Sequence, residues 1–72
     1  MKEIIEAPLP GKVLSVDVAV GNIIEEGGMV CTIEAMKMEN PILSPVKGSV
    51  KEVAVSPGVI VKTGDKLVVI EY

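Results

Sequence analysis

Val16-Asp17-Val18-Ala19-Val20 sets apolar residues two apart, the alternation of a strand with one face on a core. Val53-Ala54-Val55 keeps the same phase with less polar contrast. Val- and Ile-rich runs of this kind predict strands at 2–6, 12–19, 29–35, 39–43, 49–55 and 66–71, with very short strands near 23–24 and 60–61. Between them stand Pro10-Gly11, Gly21-Asn22, Gly27-Gly28, Lys47-Gly48, Pro57-Gly58 and Gly64-Asp65, residue types that turn a chain. Nothing sustains a period of 3.6, so no helix beyond a turn is expected. Short strands between closely spaced turns predict an all-β sandwich or barrel.

The pattern occurs twice. Residues 7–34, APLPGKVLSVDVAVGNIIEEGGMVCTIE, align without a gap to residues 44–71, SPVKGSVKEVAVSPGVIVKTGDKLVVIE, at a constant offset of 37. Pro8 falls on Pro45, Gly11 on Gly48, Val13 on Val50, Gly21 on Gly58, Gly27 on Gly64 and Ile33 on Ile70. The matched glycines suit turns or close backbone approach, and the matched Val and Ile suit inward strand positions. Val13 to Val16 spans three residues, as does Val50 to Val53. That slip of phase at one place in both copies predicts a β-bulge. Two matching halves imply a pseudo-two-fold arrangement in which each half supplies strands to both sheets. The connector between the halves then has the chain termini as its symmetry mate, which sets Lys37 at one end of the molecule and the termini at the other.

Composition narrows the chemistry. At 72 residues the chain makes one small domain, residues 1–72, with a thin core. Its single cysteine, Cys31, forms no internal disulfide, and with no histidine there is neither a zinc-type ligand set nor the usual acid–base side chain. Tyr72 is the one aromatic residue and the net charge is −3, which disfavours nucleic acid. No apolar run reaches the length of a membrane helix, and with no signal-like segment the expected location is the cytoplasm. Such a chain is better suited to being acted upon than to catalysis.

One stretch does not fit a purely structural reading. Glu34-Ala35-Met36-Lys37-Met38-Glu39-Asn40, in the connector, puts a lysine between two bulky thioethers at a hairpin tip. An exposed primary amine there can be acylated once it gives up its proton. The plainer alternative is an ordinary surface lysine with methionines filling a gap.

EAMKMEN resembles the attachment motif of biotinyl (biotin carboxyl carrier) domains, and the resemblance runs the full length of the chain. APLPGKV (7–13) is similar to the family's A-P-M-P-G-x-V opening, with Leu9 for methionine; PILSPVKGSV and VKTGDKLVVIE also fit. The resemblance implies a flattened β-barrel, a barrel-sandwich hybrid of two four-stranded antiparallel sheets, of the type without a protruding thumb. It implies biotin joined to Lys37 as an amide by a biotin protein ligase working through biotinyl-AMP. Glu34, Ala35, Met36, Met38 and Glu39 become the residues read by ligase and partner enzymes, the methionines chiefly for carboxyl transfer. It further implies a non-catalytic, monomeric carrier that serves biotin carboxylase and a carboxyltransferase or decarboxylase. A lipoyl domain, which resembles this chain in fold and repeat, places Asp before and Ala after its lysine; Met36 and Met38 depart from that. An unmodified structural module is the other alternative.

Overall fold

A computed structural model describes all 72 residues. Eight strands form: β1 (Lys2–Glu6), β2 (Gly11–Val16), β3 (Ile23–Ile24), β4 (Met29–Ala35), β5 (Met38–Leu43), β6 (Gly48–Val53), β7 (Ile60–Val61) and β8 (Lys66–Glu71). They make two four-stranded sheets, ordered β1-β8-β6-β3 and β5-β4-β2-β7, with every pair antiparallel. The flattened barrel-sandwich expected from the sequence is the fold observed.

A shift of 37 residues carries each strand of the first sheet onto one of the second, in order: β1 onto β5, β8 onto β4, β6 onto β2 and β3 onto β7. The loops obey it too. Of the 15 backbone hydrogen bonds outside regular pairing, all but one form pairs related by the shift. Ala7 N–H donates to Asp65 O as Ser44 N–H donates to Gly28 O, and Asp17 N–H to Val30 O as Ala54 N–H to Leu67 O. The exception, Tyr72 N–H to Met1 O, joins the termini where the other half has a hairpin.

Bulges shape the core. Register slips between Val13 and Ser15 and between Val50 and Glu52, so Leu14 and Lys51 are the extra residues of the bulge expected from the sequence. A second pair of slips, between Met29 and Cys31 and opposite Ile5 and Glu6, makes Val30 and Leu67 extra residues. Both are fully buried beside buried neighbours, Cys31 and Val68, so each bulge turns two consecutive side chains into the interior instead of one. Thirteen buried residues form one cluster, among them Val13, Ile33, Val50, Val61 and Ile70.

Two strands end sooner than expected. β2 stops at Val16 and β6 at Val53, not at 19 and 55: after single bonds from Asp17 N–H to Val30 O in β4 and from Ala54 N–H to Leu67 O in β8, pairing with those neighbours ceases. Val18 and Val55 still pack on the core from the loops. They carry a strand's alternation without a strand's pairing.

Candidate functional site

The β4–β5 hairpin closes between Ala35 and Met38, leaving Met36 and Lys37 as a two-residue loop. Their φ angles are 54° and 65°, the pair of positive values that a type I′ turn demands. Such turns usually take Asn-Gly, because a Cβ is crowded in the left-handed region. Neither residue here has that licence. The tip is held in place by the pairing below it, where Glu34 faces Glu39 and Ile33 faces Asn40.

Asn40 braces the turn. Its Nδ2 donates to Ile33 O at 3.3 Å and to Met38 O at 3.2 Å, tying both strands just beneath the loop. Sequence reasoning did not single it out, although an asparagine inside a strand, where the type is disfavoured, was the available signal. Gly11 abuts the same end. A Cβ there would run into the Glu34 carbonyl oxygen and sit 2.7 Å from Ile33 Cγ2, so β2 approaches β4 this closely only with a glycine.

Above the brace the residues are open. Met36 is 92% exposed and Met38 66%, against the burial that methionine ordinarily seeks. Lys37, Glu34 and Glu39 are exposed as well, and Ala35 alone is buried, as the hairpin's inner foot. The turn fans the methionines outward and does not seat them in a gap. Lys37 takes no part in the molecule's ion pairs, which are Lys47–Glu25, Lys51–Glu71 and Lys66–Glu52. The tip thus presents an unengaged primary amine between two exposed thioethers, on a braced hairpin. An acyl group attached to it would meet no protein obstruction. The molecule's one thiol, Cys31, is fully buried, and burial, with a smaller contribution from Asp17, pushes it up to about 11.

Residues 3–70 match the family described as biotin-requiring enzymes. The chain belongs to that family. Among relatives, the biotin carboxyl carrier protein of Streptococcus mutans is 44% identical over 64 residues, covering 89% of this chain and 49% of its own length. The mitochondrial propionyl-CoA carboxylase alpha chain of Sus scrofa is 43% identical over 68 residues, covering 94% of this chain but 9% of its own. Among solved structures, urea carboxylase of Kluyveromyces lactis superposes with a TM-score of 0.92 at 31% identity, over 99% of this chain and 6% of that one. The chain therefore spans about half of the bacterial carrier and a small part of each carboxylase.

Proposed function

We propose that this chain is a biotin carboxyl carrier domain in which Lys37 bears the biotin. The observation that carries the reading is the amine at a strained, braced, fully exposed tip, in a chain whose relatives include a biotin carboxyl carrier protein. Attachment joins Lys37 Nζ to the biotinyl carbonyl as an amide and expels AMP from biotinyl-AMP, the lysine giving up a proton. Amide formation also removes the lysine charge, so the arm is neutral. Once bound, biotin supplies a ureido nitrogen that accepts a carboxyl group in one active site and yields it in another.

The chain's own residues present, orient and tether. The type I′ turn points the arm away from both sheets, and Asn40 keeps the turn formed. Met36 and Met38 offer exposed apolar surface for a ligase and for partner enzymes to read, with Glu34 and Glu39 on either side. The domain works as a monomer, performs neither carboxylation nor transfer, and raises the arm's effective concentration at both sites. Its partners in this reading are a biotin protein ligase, a biotin carboxylase, and a carboxyltransferase or decarboxylase.

The test is mass spectrometry of the intact chain and of its peptides after incubation with biotin ligase, ATP and biotin. A single biotinyl addition on Lys37 is expected. Lys37→Arg should fold unchanged and take no addition. An unmodified wild-type chain, beside a labelled control domain, would defeat the reading.

A further inference from the structure

The two halves differ at their sheet edges. β1 and β5 are symmetry mates, and each is the outermost strand of its sheet. Met1 and Tyr72 exchange both backbone hydrogen bonds, 2.7 and 2.8 Å. In an antiparallel ladder such pairs alternate with unbonded ones. Lys2 and Ile4, opposite Glu71 and Val69, therefore turn their N–H and C=O groups away from β8, toward the open side. In β5 the position matching Ile4 is Pro41, opposite Thr32. A proline has no N–H to offer, which is a common way to blunt a sheet edge. The β5 edge loses one donor that its mate keeps at Ile4.

Beside the β1 edge lies a groove of about 470 Å³ between the two strands. Its apolar lining includes Ile4, Pro41 and Leu43, with Ile4 53% and Leu43 49% exposed. Its charged lining consists of Glu3 and Glu6, with no lysine, and neither carboxylate takes part in an ion pair. Edge and groove together thus combine the unused backbone groups of Lys2 and Ile4, exposed apolar side chains, and two unpaired carboxylates.

We propose that the free edge of β1 takes an extended peptide segment as an added strand, one whose alternate side chains are apolar and basic. Main-chain bonds to Lys2 and Ile4 supply the affinity, in the manner of strand addition generally. Apolar side chains enter beside Ile4 and Leu43 on one face of the added strand, and basic ones on its other face meet Glu3. The surface is separate from the lysine tip, and the proposal stands or falls without reference to biotin.

The probe is a capped hexapeptide of alternating lysine and valine, with a glutamate–valine peptide as control. It is titrated into the chain while amide shifts and hydrogen exchange are followed by NMR. The Ile4 amide, free in the unbound protein, should become protected on adding the lysine peptide and stay unprotected with the glutamate peptide. Ile4→Pro places in β1 what Pro41 already does in β5 and removes no bond to β8, so it should fold and bind at least about tenfold more weakly. Shifts scattered over the carboxylates with Ile4 exchange unchanged would overturn the proposal. So would Ile4 protection that rises with protein concentration and no peptide, which would make a second copy of the chain the occupant.

Discussion

Met36 and Lys37 occupy a backbone conformation in which a side chain costs about 1–2 kcal/mol per residue, and Met36 recovers nothing by packing, since it is almost wholly exposed. Strain at an exposed tip persists where function requires particular side chains there. Met36→Asn combined with Lys37→Gly gives the turn the residues it prefers. That double variant should unfold in urea at a higher midpoint, by about 1–2 kcal/mol, while losing all capacity for biotinylation; an unchanged midpoint would mean the turn is not strained. Cys31 gives the residue scale a second test. Its thiol is raised by burial from an ordinary 9.0 to about 11 in the folded chain. The folded state thus holds this proton more tightly than the unfolded state does. Its contribution to stability is complete below pH 9 and is lost as pH climbs toward 11. Cys31→Val, the residue that stands at the matching position 68, should flatten that alkaline decline in thermal melts. A decline of undiminished size would assign it to other groups.

Among the elements, the symmetry provides its own control. Gly11 and Gly48 open β2 and β6 in the same way: added Cβ atoms would meet the carbonyl oxygens of Glu34 and Glu71, and Ile33 and Ile70 Cγ2 at 2.7 and 2.8 Å. Gly11→Ala and Gly48→Ala should each cost about 1–3 kcal/mol, the usual range for overpacking, with similar urea midpoints. Only the first lies beside the lysine hairpin, so only Gly11→Ala should also slow biotinylation at equal folded fraction. Equal slowing in both would mean that stability alone was being measured. Much at this scale was legible beforehand. Val13 and Val16, three apart in both copies, gave away one bulge, and the Val and Ile runs gave all eight strands. The second bulge was not seen, because Val30-Cys31 and Leu67-Val68 read as plain apolar runs, and nothing local says that consecutive side chains both turn inward. Val18 and Val55 extended two strands too far because burial from a loop leaves the same alternation as pairing in a sheet. The lysine of the tip was legible from its neighbours; the positive φ angles were not, since no glycine or asparagine marked them.

On the scale of the whole molecule the hairpin and the termini are one structural position used twice. Tyr72 pairs with Met1 as Ala35 pairs with Met38, and the shift of 37 takes Met1 onto Met38 and Tyr72 onto Ala35. What the terminal pair lacks is the two-residue loop. The two positions also lie at opposite ends of the strands: Gly11 abuts Glu34 near the tip, while Gly48, reached after β5 has run about 17 Å away from it, abuts Glu71 near the termini. A carrier attached through its termini therefore extends its lysine away from the attachment. The equivalence can be used to ask what a ligase reads. Joining Tyr72 to Met1 through an inserted Met-Lys in a backbone-cyclised chain rebuilds a Met-Lys-Met tip, preceded by Glu71 where the native tip has Glu34. Tyr72 and Lys2 then replace Ala35 and Glu39 as the flanks. If placement on the turn is what the enzyme recognises, the cyclic chain should gain two biotinyl groups in intact-mass spectra, the second more slowly. A single addition, confined to Lys37 although the new turn forms by NMR, would shift recognition from the turn to Ala35 and Glu39.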